Sequence, residues 1–503
     1  MKLTVGRGPV FGSEAELLVY PVFAGDAGFG QALKELPAAL TERLKKAVKS
    51  QHFVGAMGTK LLLPVPPGHS AEWLLLVGLG ERRGDVAEGL RQAAGAAIQV
   101  AQAQALRTIS CGLSTKDLSR PEMVAALAEG ALLAGYTFTA YKTPKDPAGE
   151  RSIAEFEILV AEGRAVIPAR RALEKAVATG DAVTVARDLV NMSAHELTPT
   201  RLAAAAEEIA RASNKAITVK VMSRAECLKL GMGAFLAVDQ GSDEELKFIH
   251  LTYKPVRGAR GAVALIGKGV TFDSGGLSLK PSAGMATMKC DMAGAAAVLG
   301  VFTALTTLKP KVTVHGLIAA TENMPSGKAT RPGDVVRSMN GQTVEILDTD
   351  AEGRLTLADA FTYAQRKLGV TEIIDLATLT GACMVALGEE IAGLMTPSAQ
   401  LRKALLTASK EAGERLWELP LEEAYAPQLK SDIADLKNIT STRYGGAITA
   451  GLFLQEFIEP GTAWAHLDIA GPAFAERPFR SYLGKGGTGY GVRLLLRYLQ
   501  NRG

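Results

Sequence analysis

Several common signals are scarce or missing in this 503-residue sequence. It has only four cysteines, and none forms a Cys-x-x-Cys pair, which excludes a disulfide framework and favours a reducing compartment. The N-terminal segment lacks the apolar run that a signal peptide needs. The most apolar long stretch, residues 373–387, is interrupted by Asp375 and is too short to cross a bilayer. The sequence therefore predicts a cytoplasmic protein without a membrane partner.

A strong excess of one charge is also missing. The 56 basic and 52 acidic residues give a formal net charge of +4, with both signs interspersed along the chain. This balance argues against nucleic acid as a partner without excluding it. Apolar residues make up 47% of the chain, which indicates a well-packed globular protein, and its length predicts two domains.

Familiar catalytic motifs are absent as well. The sequence contains no Gly-x-Ser-x-Gly elbow of a serine hydrolase and no His-Glu-x-x-His zinc motif. Its six histidines are scattered. Two of them, His315 and His466, lie in apolar strand-like runs, so we predict that they belong to the core rather than to a metal site.

Strand-like and helical patterns alternate along the chain, which is typical of an α/β architecture. We predict a smaller N-terminal α/β domain over residues 1–165 and a connecting helix over 166–190. A larger C-terminal α/β domain follows over 191–503, with a mixed, largely parallel central sheet flanked by helices. Its strands are nearly continuously apolar, as expected for strands covered on both faces.

The first group of chemically active residues lies in the glycine- and serine-rich segment 267–280. We expect this segment to be a loop, because it directly follows a strand predicted over 262–266. It carries Lys268, Asp273 and Lys280, and Asp291 follows eleven residues later. Loops at the carboxyl ends of parallel strands commonly form binding sites, so a site is predicted here.

The second group lies in residues 348–355. In an extended chain, residues two apart project to the same side, so Asp350, Glu352 and Arg354 are predicted to point together. A helix is predicted to begin just after them, over 356–367. Read separately, the first group could be only a tight turn or a phosphate-binding loop, although it lacks the Gly-Lys-Ser/Thr ending of a Walker loop, and the second group could be only a solvated acidic surface.

Taken together, the two groups suggest metal binding. Four carboxylates, Asp273, Asp291, Asp350 and Glu352, would repel one another in one buried region and raise each other's pKa. Two divalent ions would balance them, and carboxylate oxygens suit Mg, Mn or Zn. A pair of ions about 3.5–4 Å apart is the arrangement of two-metal hydrolysis.

These motifs resemble those of the leucyl aminopeptidase family, the cytosolic hexameric dizinc aminopeptidases of peptidase family M17. The matching segments are GKGVTFDSGGLSLKPSAGMATMKCDMAGAAAV (267–298), DTDAEGRLTLADA (348–360), NMSAHELTPTRLA (191–203), ENMPSGKATRPGDVV (322–336), DLATLTGA (375–382), YGGAITAGLFLQEF (444–457) and WAHLDIAGPA (464–473). The resemblance covers the chain from about residue 185 to its end. It identifies 191–503 as a catalytic metallopeptidase domain and 1–165 as a macro-like, oligomer-supporting domain.

The resemblance also implies roles for individual residues. One ion would be held by Asp273, Asp350 and Glu352, with the backbone carbonyl of Asp350. The second ion would be held by Lys268, Asp273, Asp291 and Glu352, and Lys268 would need a lowered pKa to act as a neutral ligand.

The remaining implied roles concern substrate and proton transfer. Lys280 would hydrogen-bond the substrate carbonyl, and Arg354 would hold a bicarbonate ion that shuttles the proton. The residues expected to bind substrate are Met288, Thr378, Leu379 and Gly381. One departure is Asp348, where the family usually has Asn, and it could alter metal preference or optimal pH.

The function implied is a leucyl aminopeptidase. Such an enzyme hydrolyses the N-terminal bond of peptides and amino-acid amides and prefers Leu and other apolar N-terminal residues. It uses a water that bridges two Mn or Zn ions, and it assembles as a homohexamer. A catalytically silent scaffold and a nucleic-acid-binding regulator on the same fold are the alternatives.

Overall fold

The computed structural model describes residues 1–25, 36–113, 115–143, 152–256 and 258–502. The chain divides into two compact units, Met1–Gly180 with Arg477–Gly484, and Asp181–Glu476 with Lys485–Gly503. The division lies inside the long helix Val166–Asn191, which begins where the connecting helix is predicted. Segment 477–484, assigned from sequence to the C-terminal domain, belongs to the first unit.

The first unit is an α/β layer structure. Its strands are β1 Lys2–Arg7, β2 Leu17–Val22, β3 Lys60–Pro64, β4 Trp73–Gly78, β5 Thr108–Leu113 and β6 Glu155–Val160, and its helices are α1 Ala38–Ser50, α2 Val86–Ala103 and α3 Pro121–Ala134. The strand order is β1-β6-β5-β2-β4-β3, and every pairing is parallel except that of β3 with β4. Every residue of β2 is buried, which explains its continuous apolar sequence.

The second unit is larger and also α/β. After α4, Val166–Asn191, its helices are α5 Pro199–Ala212, α6 Arg224–Leu230, α7 Gly233–Asp239, α8 Ser282–Met285, α9 Ala293–Leu308, α10 Gly353–Leu368, α11 Gly381–Leu387, α12 Ala399–Ala412, α13 Gly446–Gln455 and α14 Val492–Asn501. Its strands are β7 Ile217–Met222, β8 Lys247–Tyr253, β9 Ala262–Asp273, β10 Thr313–Asn323, β11 Asp334–Arg337, β12 Thr343–Ile346, β13 Glu372–Ala377, β14 Ile391–Met395, β15 Arg415–Glu418, β16 Leu436–Lys437, β17 Ala463–Asp468, β18 Phe474–Ala475 and β19 Gly486–Gly487.

The main sheet of this unit has the order β15-β14-β17-β13-β9-β10-β8-β7. Its centre, β17-β13-β9-β10, is parallel, whereas β14 and β8 join it antiparallel. The mixed, largely parallel sheet expected from sequence is confirmed. Because the four central strands are parallel, their carboxyl ends lie at one edge of the sheet, and the site residues follow there.

Strand β9 is longer than expected. The sequence predicts a loop from Gly267 onward, but β9 continues to Asp273, and its pairing with β10 extends as far as Asn323. Gly267 serves close packing: a Cβ there would lie 2.5 Å from the backbone N of Ala295 in α9. The predicted start of the loop at Gly267 is therefore wrong. A glycine within a strand can mark a site where another backbone approaches closely, as α9 does here.

The region Ser282–Leu308 is long and apolar enough, by length and composition, to cross a membrane. However, 78% of its most apolar window is buried inside the protein, as is usual for a core helix. It is also divided into α8, a short 3-10 turn at Met288–Cys290 and α9.

A pair of imidazoles lies on the same sheet, away from the carboxyl edge. His250 Nε2 is 3.1 Å from His315 Nδ1, and the Thr252 hydroxyl contacts both rings. Burial, with smaller effects from His315 and Lys220, lowers the pKa of His250 to about 4. The folded protein thus favours the neutral His250 ring more than the unfolded chain does. The stability of the folded protein should therefore be complete above about pH 6.5 and should fall as the pH drops towards 4.

We therefore expect His250→Gln to flatten this acid-side loss of stability, by on the order of 2 kcal/mol between pH 6.5 and 4. Unfolding temperatures measured across that range would test it, with the exposed His195→Gln as the control. Parallel pH curves for His250→Gln and the unmodified protein would contradict the assignment.

Candidate metal centre

Lys268 points from β9 into a group of buried acids. Its Nζ lies 2.8 Å from Asp291 Oδ1 and 2.8 Å from Glu352 Oε1, and it donates to the backbone O of Thr378 at 3.0 Å. The lysine side chain is only 4% exposed. One ammonium group therefore joins two acids that are distant in sequence.

A second ammonium group makes a similar bridge. Lys280 Nζ lies 2.8 Å from Asp273 Oδ2 and also pairs with Asp350. The structure thus brings together both lysines and all four carboxylates named from the sequence. Ligand oxygens of Asp273, Asp350 and Glu352 lie within 4.8 Å of one another.

The backbone after β9 fixes Asp273. Its Oδ1 accepts hydrogen bonds from Gly275 N and from Asn323 Nδ2, both at 2.8 Å. Gly275 has φ +87°, and a Cβ there would lie 2.9 Å from Asp350 Oδ1 and 2.4 Å from Ser278 O. Only glycine tolerates both the positive φ and the lack of space for a Cβ, which explains the glycine at this turn.

Residues 348–354 do not form the extended segment expected from sequence. Asp350 lies in a turn, where its backbone N donates to Asp348 Oδ1 at 2.9 Å. Helix α10 already begins at Gly353. The predicted extended segment is therefore wrong: a turn and the first helical residues bring these side chains to the centre. Asp348, the departure noted from sequence, shapes this turn.

Arg354 lies in the first turn of α10 and is buried. Its Nη1 donates to the backbone O of Asn438 at 2.6 Å, and its Cζ is 5.9 Å from the centroid of the Phe453 ring. Burial lowers the pKa of Arg354 to about 10, and Glu352 and Asp348 oppose the shift. The guanidinium is therefore still a cation at neutral pH.

The loop after β13 supports the other side of the centre. Thr378 Oγ1 donates to Asp291 Oδ1 at 2.7 Å, while Asp468 accepts from Leu379 N at 3.2 Å. Met288 is half-buried three residues before Asp291, and Gly381 is exposed at the start of α11. Of the four predicted substrate residues, Thr378 contacts the charged group directly, and the other three lie on the segments that border it.

Burial and crowding of like charge raise the pKa of the acids. Burial and then repulsion from Asp273 raise the pKa of Glu352 to about 8, although Lys268 opposes them. Burial raises the pKa of Asp291 to about 6, and it also raises that of Asp350. Such shifts indicate more negative charge than the two lysines balance.

The lowered pKa expected for Lys268 as a neutral ligand requires a bound cation beside it. Burial alone would lower it, but Asp291, Glu352 and Asp273 outweigh burial and raise the pKa of Lys268. The expectation assumed a neighbouring cation, whereas the groups around this ammonium are carboxylates. In this form Lys268 is itself the counter-charge.

The donor set fits divalent ions. Asp291 Oδ2 is buried without a hydrogen-bond partner among the described residues, whereas Asp350 Oδ1 and Glu352 Oε1 are buried against the lysine ammonium groups. Unsatisfied buried carboxylate oxygens are costly, and hard cations are the partners that suit them. The centre can therefore bind metal, and each lysine ammonium lies at a position between two carboxylates.

Sequence reasoning missed the residues that support this centre. Asn323 donates to Asp273 and, at 2.9 Å, to the backbone O of Thr349, and Asn438 contacts the 348–351 turn. Asn323 is the second residue of the motif at 322–336 and the last residue of β10, so it could have been singled out there. Asn438 carries no local signal, because the groups that its side chain contacts lie 87 to 91 residues away.

His466 is a core residue, as predicted. It is fully buried, and its Nδ1 lies 2.6 Å from Asp375 Oδ1. Burial would lower the pKa of His466, but Asp375 outweighs burial and raises it. His315 is half-buried in the imidazole pair on β8 and β10, outside the acidic centre.

Known proteins are similar to this chain in both sequence and fold. Residues 184–496 match the cytosol aminopeptidase family, catalytic domain, and residues 19–145 match the N-terminal domain of that family. A probable cytosol aminopeptidase of Thermosynechococcus vestitus is 46% identical over 465 residues, 92% of either chain. Another, from a Synechococcus species, is 44% identical and covers 100% of this chain and 99% of its own length.

Solved structures agree with these relatives. A tomato leucine aminopeptidase mutant has a TM-score of 0.89 and 35% identity, over 100% of this chain and 96% of the tomato chain. The bottromycin maturation enzyme BotP in complex with Mn has a TM-score of 0.84 and 37% identity, over 97% of this chain and 99% of its own.

A two-domain α/β fold with a buried acidic centre of this kind defines a metal-dependent aminopeptidase. More particularly, the chain belongs to the cytosol aminopeptidase family, the leucyl aminopeptidases of peptidase family M17.

Proposed function

We propose that this aminopeptidase removes the N-terminal residue from peptides and amino-acid amides, with a preference for Leu and other apolar residues. The observation that carries the proposal is the pair of ammonium groups, each bridging two carboxylates in one buried centre. Asp273, Asp350 and Glu352 would hold one Mn or Zn ion, and Lys268, Asp273, Asp291 and Glu352 a second. Bound there, the two ions would polarise the scissile carbonyl and supply an activated bridging water.

Lys280 has the position and charge to stabilise the reaction. Its ammonium group lies beside Asp273 and Asp350, and it is less buried than Lys268, with 17% of its side chain exposed. Neutralisation of those acids would release Lys280 to donate a hydrogen bond to the substrate carbonyl. The same donor would stabilise the oxyanion that develops, an effect worth about 3–4 kcal/mol per donor.

Arg354 has the position and charge to bind an anion. Its Nη1 is held by Asn438, whereas its Nε has no hydrogen-bond partner among the described residues. A buried, unpaired N–H of a cation favours a small anion such as bicarbonate. Bicarbonate at this position would accept and return the proton during peptide hydrolysis.

Substrate selection follows from the same surroundings. The proposed preference for an apolar first residue is supported by Met288 and Leu379, half-buried apolar side chains on segments that border the acidic group. We also propose, from the family resemblance, a homohexamer in the cytoplasm. The names of the cytosol aminopeptidase relatives support that location.

The first test compares a leucyl dipeptide with its N-acetylated form. We expect leucine release only from the free-amine peptide, loss of activity after chelation, and recovery with Mn or Zn. The acetylated peptide should resist cleavage, because the proposed enzyme selects substrates that have a free α-amine. Equal cleavage of both peptides would contradict the exopeptidase proposal.

Elemental analysis completes this test. Two divalent ions per chain are expected in the active enzyme. A folded protein that binds no metal and cleaves neither peptide would contradict the proposal and favour the catalytically silent scaffold.

A further inference from the structure

Asn438 is a fully buried residue at the end of the small sheet β11-β12-β16. Strand β16 runs parallel to β12, and Asn438 N continues this pairing by donating to Glu345 O at 3.0 Å. The side chain of Asn438 therefore arrives beside the chain that leaves β12. That chain is the turn 347–351, which carries Asp350 and leads to Glu352.

The Asn438 amide makes hydrogen bonds along this turn. Its Oδ1 accepts from Leu347 N at 2.9 Å and from Asp348 N at 3.3 Å. Its Nδ2 donates to Asp348 O at 2.6 Å and to Ala351 O at 3.3 Å. These four contacts use the full capacity of an amide, two acceptor lone pairs and two N–H groups.

The backbone of Asn438 reaches a second element of the centre. Its carbonyl O accepts from Arg354 Nη1 at 2.6 Å. One residue thus holds both the turn with Asp350 and the guanidinium at the start of α10. The opposite half of the centre has its own supports, Asn323 at Asp273 and Thr378 at Asp291.

We propose that Asn438 is a positioning residue that sets the place of Asp350, Glu352 and Arg354 relative to the rest of the metal centre. The inference rests on the proposed function, since it assumes that those acids hold catalytic ions. Supporting residues of this kind commonly affect metal affinity or activity about 10- to 100-fold. A displacement of about 1 Å at a reacting centre has a similar effect on rate.

The test compares Asn438→Ala with Asp435→Ala. Asp435 Oδ2 accepts from Thr343 N and Thr343 Oγ1, both at 2.8 Å, so it joins the chain before β16 to the start of β12. Its removal weakens the same small sheet without touching the turn 347–351. The readouts are metal affinity by chelator competition, the unfolding temperature of the metal-free protein, and kcat and KM for a leucyl dipeptide.

We expect Asn438→Ala to lower metal affinity and kcat by about 10- to 100-fold, with KM changed by less than about threefold. Asp435→Ala should lower the unfolding temperature but keep the metal affinity and kcat of the unmodified enzyme. If Asn438→Ala lowers only the unfolding temperature, Asn438 is structural and the positioning proposal is wrong.

A second variant covers the case in which Asn438→Ala fails to fold. Asn438→Asp keeps the acceptor for Leu347 N but places an oxygen against Asp348 O and Ala351 O. It should reduce metal affinity and kcat in the same way, and unchanged values would overturn the proposal. If the unmodified enzyme is active and binds two ions, and the Asn438 variants have the same metal affinity and kcat, only the proposed role of Asn438 is contradicted. An unmodified protein without metal or activity contradicts the proposed function, and the role of Asn438 with it.

Discussion

Exchange of Glu352 for glutamine is expected to abolish metal binding and peptide hydrolysis while the fold is kept. Glu352 is 2% exposed, pairs with Lys268, and belongs to the group whose oxygens lie within 4.8 Å of one another. Glutamine has the same shape but lacks the charge that a divalent ion requires. Because changes in supporting residues alone weaken metal sites about 10- to 100-fold, loss of this ligand should weaken binding at least ~100-fold.

Elemental analysis and chelator competition would measure this effect. Glu345→Gln is the control, since Glu345 lies on β12 and its carboxylate accepts from Ser431 Oγ outside the centre. The metal-free Glu352→Gln protein should unfold at or above the temperature of the metal-free original, because a crowded buried charge is removed. Two ions retained per chain would refute the assignment of Glu352 as a ligand.

Exchange of Lys280 for methionine is expected to separate catalysis from metal binding. Loss of one hydrogen-bond donor to a developing oxyanion typically reduces kcat about 10²- to 10³-fold. Metal affinity should be equal or higher, since the Lys280 ammonium competes with ions for Asp273 and Asp350. The two exchanges therefore differ in their effect on metal affinity, which Glu352→Gln should lower and Lys280→Met should not.

Steady-state kinetics and metal titration of Lys280→Met would test this. Lys289→Met is the matched control, because Lys289 is a neighbouring lysine whose Nζ donates to Asn191 O at 2.7 Å. A Lys280→Met enzyme with an unaltered kcat would exclude the proposed role. A fall in metal affinity would instead identify Lys280 as part of the metal-binding set.

Much of the fold was predictable because its signals are local. The helix at Pro121–Ala134 begins at a proline, and the strand at Glu372–Ala377 is a continuous apolar run. The extension of β9 to Asp273 was not predictable in this way, because its reason is the approach of α9 to Gly267. Nor does any local pattern show that 477–484 belongs to the first unit.

The chemistry of the centre was also predictable, but its geometry was not. Charged residues among small ones mark Lys268, Asp273 and Lys280, and the structure brings them together with the other acids. The contacts of Asn438 with the turn at Asp350 join chain segments about 90 residues apart. Such contacts between distant segments exist only after the sheets have formed, so no local sequence pattern indicates them.

The distribution of the acids along the chain also determines when they can meet during folding. Asp273 is the last residue of β9, Asp291 precedes α9 and Glu352 precedes α10, so we expect the three to converge only after β9 has paired with β10 and β13. Parallel pairing between distant segments is slow, because the entropy of loop closure is lost before the contacts form. We therefore expect the complete set of ligands to form only in the folded domain. Ions that bind this set would stabilise the folded domain by mass action, and metal uptake would then be a late marker of correct folding.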